Sequence, residues 1–410
     1  MNARNTTSKA GANSLLARGR DHLAIPGPSV MPERVLRAMH RPAPNIYQGE
    51  LVDITASIKS DLNSLAGNSG EVGMYIGNGH AAWEASLCNT FSRGDKVLFL
   101  FNGRFGMAWA AVATALGIDV QVLDFGHERA VDAAELESVL ANDESHAIKA
   151  VLTVHTDTAS ASSNDLAAIR GAIDSAKHPA LYMVDSIASF ACESFYMDKL
   201  GVDVMITASQ KGLMTPPGLA FLFVGEKFWS YQKNADLVTP YWNANTRMYP
   251  AMFPDNFNGT PPTHHLYGLR EALDMLLEEG IENTWRRHEV MARAVWAAVD
   301  VWGQGGNFSC NVADEAMRSR AVTMINTPKG IGGALLALCI EQFGVVLGVA
   351  LDPNPERKIL DDAFRIGHMG HLNPPMLLGT LGSVEAGLNA LNVTRGTGAV
   401  DAAAAVLANV

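Results

Sequence analysis

The chain reads as an α/β protein: a large domain on a mainly parallel seven-stranded sheet covered by helices, followed by a small C-terminal α+β domain. Two patterns predict it. Up to about residue 225, short β-branched runs alternate with amphipathic helical segments, as expected of parallel strands joined by crossover helices. Past residue 263 this gives way to a long helical stretch and then to a second, sparser set of strands. Length agrees: 410 residues, 48% hydrophobic and 18% charged, are globular in composition and exceed one ordinary core.

Taken in order, residues 1–20 carry Arg4, Lys9, Arg18 and Arg20 ahead of the first acid. This bias is faintly like a mitochondrial presequence. The low apolar content instead favours reading residues 1–22 as an arm that packs on a partner subunit. The large domain is assigned to residues 23–282, with strands at 72–76, 96–100, 119–123, 148–154, 180–184, 202–206 and 220–224. Helices are expected at 80–92, 103–116, 132–141 and 164–177, the last capped by Ser163 or Asn164. Ligands should gather beyond the carboxyl ends of the strands. Trp285, His288, Ala292, Val295, Val299 and Trp302 recur at steps of three and four, one face of a core-packing helix. The small domain, 283–410, adds strands near 321–325 and 345–349 and helices near 331–343 and 375–392. No internal repeat is visible, and the alanine-rich tail is the one low-complexity tract.

The net charge of −11 argues against a nucleic-acid or anionic-membrane partner. No run approaches the ~20 apolar residues of a membrane span. Cys88, Cys192, Cys310 and Cys339 form no Cys-x-x-Cys pair, so a zinc or redox site is not expected. Such cysteine usage suits a reducing compartment, and a cytoplasmic location is expected.

Asp185 ends one apolar run and Lys211 lies just past the next, in Ser209-Gln210-Lys211-Gly212. An acid and a lysine so placed meet the needs of pyridoxal 5′-phosphate: the lysine forms a Schiff base and the carboxylate pairs with the pyridinium nitrogen. A lysine is ordinarily solvated surface, but this one follows an apolar strand and precedes Pro216-Pro217-Gly218, a poor context for a free side chain. Gly77-Asn78-Gly79-His80-Ala81-Ala82 sits between a strand and a helix, where backbone N–H groups and the helix dipole bind phosphate. The same letters fit a dinucleotide signature. Asp95, the nearest acid at the expected distance, precedes its strand and points away from a ribose, which favours the phosphate of pyridoxal phosphate; a plain tight turn is the other alternative.

After the next strand, Phe105 lies between Gly103 and Gly106 and would either stack on a pyridine ring or join the core. Thr158, in His155-Thr156-Asp157-Thr158-Ala159-Ser160, could donate to the ring oxygen. Arg365, in an apolar run ended by Gly367, needs an anion, either an internal acid or a substrate carboxylate. Arg247, near Tyr241-Trp242-Asn243, would either face an acidic substrate side chain or lie at the surface.

Together these motifs resemble the class V aminotransferases of pyridoxal phosphate fold type I, and look most like the alanine–glyoxylate and serine–glyoxylate aminotransferase group. The resemblance runs from Ile25-Pro26-Gly27-Pro28-Ser29 to about Leu391. It implies that Lys211 is the Schiff-base residue and that Asp185 pairs with the ring nitrogen. Gly79, His80 and Gln210 would lie at the phosphate and around the ring, with Phe105 and Ile187 on its two faces and Thr158 at the ring oxygen. Arg365 would hold the substrate α-carboxylate. Thr260 would reach the phosphate of a neighbouring subunit, making the unit a homodimer with sites at the interface. The implied reaction is ping-pong transamination between a small amino acid and a 2-oxo acid such as glyoxylate or pyruvate. Two departures bear on the donor: the family loop often reads His-x-Glu-Thr-Ser-Thr-Gly where this chain has His155-Thr156-Asp157-Thr158-Ala159-Ser160-Ala161, and Phe257 stands where relatives often carry tyrosine. Pyridoxamine or ureidoglycine as donor and a cysteine desulfurase are alternatives on the same scaffold. A nicotinamide-dependent dehydrogenase and a pyridoxal phosphate protein acting only as a binding module are alternatives of other classes.

Overall fold

A computed structural model describes residues 19–351 and 361–409. The arm read from the sequence lies, up to residue 18, outside the described residues. In chain order the strands are β1 (His22–Ala24), β2 (Glu71–Gly77), β3 (Lys96–Phe101), β4 (Asp119–Asp124), β5 (Ile148–Val154), β6 (Thr156–Asp157), β7 (Ser162–Ser163), β8 (Leu181–Asp185), β9 (Val204–Ala208), β10 (Gly218–Val224), β11 (Ser309–Cys310), β12 (Val322–Asn326), β13 (Val345–Val349) and β14 (Ala363–Gly367).

Seven strands form the large sheet in the order β2-β10-β9-β8-β5-β3-β4. β10 runs antiparallel to both its neighbours and every other pairing is parallel. The central strands are buried on both faces, every residue of β8 and β9 included, which is why they read as continuous apolar runs. Alternate residues still serve opposite cores. Tyr182 and Val184 pack with Phe221, Ile169 and Leu273 on one face, and Leu181 and Met183 with Trp83, Trp109 and Leu222 on the other.

The chain leaves β3 for the edge strand β4 and returns to place β5 on the other side of β3. The helix after β3 (Arg104–Ala115) packs on one face, through Trp109 and Ala113, and the helix after β5 (Leu166–Ser175) on the other, through Ile169 and Ile173. The strand order therefore reverses between β3 and β5, and a crevice opens at their carboxyl ends. That second helix is capped by Asp165, whose side chain accepts from Ala168 N at 2.9 Å, rather than by Ser163 or Asn164. Asn164 turns inward, and its amide donates to the Val154 carbonyl at 2.7 Å.

Helix Thr263–Glu279 packs into the large-sheet core, and helix Ile281–Gly303 into a separate core with Pro374–Ala390 and Ala399–Ala408; the change falls at Gly280. The second core covers a five-stranded sheet, β1-β13-β14-β12-β11. The boundary drawn at residue 22 is crossed by β1, which pairs with β13 through His22 to Ala24 and so ties the start of the described chain to the C-terminal sheet. Among the described residues no helix is long and apolar enough to cross a membrane.

Candidate active site

Three loops leaving the carboxyl ends of β5, β8 and β9 meet the N-terminus of helix Gly79–Thr90 around a cavity of about 190 Å³. The end of β8 is aligned there by register: Asp185 pairs with Val154 of β5 and with Ile206 of β9. Its carboxylate is 2% exposed. It accepts from the Trp83 indole N–H at 2.6 Å and from Ile187 N at 2.7 Å. Burial raises its pKa to about 7, against those two hydrogen bonds.

Lys211 follows β9, and its Nζ donates to the carbonyl of Pro26. Burial, with repulsion from Arg365, lowers its pKa to about 8. A lysine so poised is a neutral amine far more of the time than a surface lysine, which a nucleophilic amine requires. The Ile25–Ser29 segment seats it. Ser29 N donates to the Gln210 carbonyl at 2.9 Å, and Ser29 Oγ to the Lys211 carbonyl at 2.7 Å. Gly27 is at φ +99°, and a Cβ there would overlap Lys211 Nζ, so this position needs glycine for conformation and for space.

At the helix N-terminus, the Asn78 side chain caps His80 N at 3.0 Å. Gly79 lets the helix approach Ile187, whose Cδ1 occupies the space a Cβ would take. The His80 ring lies 4.3 Å from that of Trp83, and partial burial lowers its pKa. Phe105 enters the same cavity, with its ring 6.4 Å from Trp83.

The sequence-predicted set therefore assembles unevenly. Gly79, His80, Phe105, Thr158, Asp185, Ile187, Gln210 and Lys211 all line this one cavity. Arg365 stands behind it on β14, buried; Nη1 donates to the Thr158 carbonyl at 2.7 Å and Nε to the Val349 carbonyl at 2.7 Å. Burial lowers its pKa to about 10. Thr260 is exposed and is not brought to this cavity. Arg247 is neither substrate-facing nor on the surface. It is fully buried, donates to the carbonyls of Tyr241, Met74 and Asn256, and lies over the rings of Tyr75 and Tyr241. A larger cleft of about 740 Å³ lies beside Glu193 and helix Ile281–Gly303, but Lys211 and Asp185 are not among its lining residues.

Residues 79–348 match the family model described as aminotransferase class-V. The chain belongs to the class V aminotransferases. It is 36% identical over 391 residues to the serine–glyoxylate aminotransferase of Methylorubrum extorquens, covering 93% of this chain and 94% of that one. It is 33% identical over 366 residues to the L-aspartate–glyoxylate aminotransferase of Paracoccus denitrificans, covering 88% and 89%. Among solved structures, the ureidoglycine–glyoxylate aminotransferase of Bacillus subtilis superposes with a TM-score of 0.83 at 25% identity, covering 95% of this chain and 99% of that one. The architecture is pyridoxal phosphate fold type I.

The residues of this aminotransferase fit that cofactor. Gln210 Oε1 is buried in the cavity wall with no protein partner, a polar atom prepared for a ligand. Asp185 uses two of about four acceptor positions on the protein, leaving room for a ring N–H. The helix start at Gly79 supplies a positive dipole end for a phosphate.

Trp83 and Asp157 escaped the sequence reading. Trp83 lies one turn past Gly79 on the same helix, a spacing that marks a shared face, but nothing local announces its bond to Asp185 across the sheet. Asp157 stands in a quoted motif, but two of its three partners, Phe105 N and Gly106 N, belong to the first turn of a helix about fifty residues away in sequence.

Proposed function

We propose that this aminotransferase moves an amino group from a small α-amino acid to a small 2-oxo acid, glyoxylate or pyruvate, with pyridoxal phosphate held on Lys211. One observation carries the reading. A lysine amine and a carboxyl, both displaced toward neutrality by burial, face one cavity whose wall also holds an unpartnered amide oxygen. Glyoxylate is the acceptor named for both relatives above, which favours it here.

When bound, pyridoxal phosphate supplies an aldehyde for amines and a ring that accepts the electrons released at the substrate Cα. The chain's residues do the rest. The first turn at Gly79 and His80, with the amide N–H of Gln210 as a donor, would hold the phosphate end, leaving Gln210 Oε1 to accept from another group of the ligand. Phe105 and Ile187 confine the ring faces. Asp185 holds a proton on the ring nitrogen, and Trp83 and Ile187 N hold Asp185. Arg365, anchored by the Thr158 and Val349 carbonyls, would give its remaining N–H groups to the α-carboxylate of donor and acceptor alike. The Lys211 amine, free once a donor amine has taken its place, would remove the proton from the substrate Cα as general base and, as acid, deliver it to the cofactor's aldehyde carbon rather than back to Cα.

The proposal includes a cytoplasmic homodimer. Thr260 is exposed, as a residue lent to a neighbouring site would be in one chain, and Tyr47, Tyr249 and Met252 are exposed apolar side chains suited to being covered. The four cysteines are free and buried, which suits a reducing compartment. Sedimentation should give a dimer at micromolar concentration, and a fully active monomer would refute that part; cell fractionation checks the location. No cysteine lines the cavity, and Cys339 is buried in the small domain, so a desulfurase is not favoured. A panel of serine, alanine, aspartate, pyridoxamine and ureidoglycine against glyoxylate, pyruvate and 2-oxoglutarate tests the reaction. No turnover with any pair would overturn it.

A further inference from the structure

The crevice between β3 and β5 is where the strand order reverses, so the loops bounding it lead to helices on opposite faces of the sheet. Loops diverging in this way have no ladder to hold them in register. Two buried side chains join them: the Asn102 amide, which donates to Ser162 Oγ at 3.0 Å and to Asn164 Oδ1 at 2.8 Å at the base of the loops, and a carboxylate nearer the cavity. Asp157, fully buried, accepts from Phe105 N at 2.7 Å and Gly106 N at 3.3 Å with Oδ2, and from Ala159 N at 2.9 Å with Oδ1. The first two N–H groups are orphan donors of helix Arg104–Ala115, whose N-cap Gly103 has no side chain to cap them. The third belongs to the turn that carries Thr158. That turn also presents the Thr158 carbonyl to Arg365 Nη1 at 2.7 Å, so the arginine is set by the same backbone. Gly103 leaves the space: a Cβ there would overlap the Asp157 carboxylate.

We propose that Asp157 is the positioning residue of this site, spacing Phe105, Thr158 and Arg365 against one another across the crevice. It touches neither cofactor nor substrate itself and acts through three residues that do, Phe105 and Thr158 at the cofactor and Arg365 at the substrate carboxylate. Each has a different task in the reading above, so one displacement would weaken cofactor seating and donor binding together. A misplacement near 1 Å is enough to cost about 100-fold in rate.

The proposal rests on the cofactor reading, and wild type loaded with pyridoxal phosphate is the reference. Asp157→Asn keeps the volume but turns one oxygen into a donor facing donors. Three quantities are read on it: the cofactor dissociation constant, the visible circular dichroism per bound cofactor, and KM for the amino donor. We expect the dissociation constant and KM to rise at least about ten-fold and the dichroism to fall. Asp157→Glu, which keeps the charge with a longer reach, should recover part of each. A purely stabilising role would lower the thermal midpoint and leave these readouts on the bound fraction unchanged. All three within two-fold of wild type would overturn the proposal, whatever the midpoint. Should Asp157→Asn not fold, Gly103→Ala decides. Gly103 has an extended backbone that alanine adopts, so the added methyl acts by pressing on the carboxylate. Unchanged readouts there would overturn the proposal equally. A wild-type protein with no imine band would instead overturn the cofactor reading.

Discussion

Replacing Trp83 with phenylalanine removes the indole N–H that donates to Asp185 Oδ2 at 2.6 Å and keeps a ring in the core. A hydrogen bond to a charged, buried carboxylate contributes about 1.5–3 kcal/mol. At about 1.4 kcal/mol per pH unit, its loss should raise the Asp185 midpoint, now about 7, by roughly one to two pH units. The sign follows from burial. The folded-state pKa lies above the ordinary carboxylate value, so this group's stabilisation is full at acid pH and is lost as pH rises through about 7. In Trp83→Phe the loss should continue to higher pH. Urea unfolding of cofactor-free wild type and variant at pH 5 and pH 9 separates this from packing, because the smaller ring costs the same at both. The variant should be less stable by an extra ~1.5–3 kcal/mol at pH 9 relative to pH 5. Equal destabilisation at the two pH values would refute the Trp83–Asp185 bond as the source.

Other outcomes follow from the same geometry. Capture of pyridoxal phosphate by cofactor-free protein should accelerate as pH rises through about 8, where Lys211 loses its proton; a pH-independent rate between 6.5 and 9 would contradict this. Gly27→Ala should slow that capture at least ten-fold, since a side chain there is strained by about 1–3 kcal/mol and overlaps Lys211 Nζ; stopped-flow absorbance reads it. Arg365→Lys should raise KM for donor and acceptor by about ten- to a hundred-fold, because both carry the carboxylate that a single ammonium grips less well. A change for one substrate alone would argue against a shared carboxylate site.

What the sequence could tell is governed by distance along the chain. The strand–helix alternation and the carboxyl-end motifs are local, so the sheet and the positions of Asp185, Lys211 and Gly79 were legible from patterning. Trp83 and Asp157 act through groups brought near by the sheet: the Trp83–Asp185 bond spans 102 residues and the Asp157–Phe105 bond 52. Pattern carries no term for such pairs. Arg247 looked available to substrate because charge implies exposure; three carbonyls and two aromatic faces solvate it inside the fold instead. β1 was missed because it is three residues long and gains its partner, β13, only when the small sheet forms. Thr260 was reached through the family resemblance alone; in this chain it is exposed and does not line the cavity.

The central claim is that the amine at position 211 carries the cofactor. Borohydride reduction of protein loaded with pyridoxal phosphate, followed by peptide mass mapping, tests it most directly. The account predicts one pyridoxyl adduct, on the peptide containing Ser209-Gln210-Lys211-Gly212. An adduct on another lysine, or none, would contradict it.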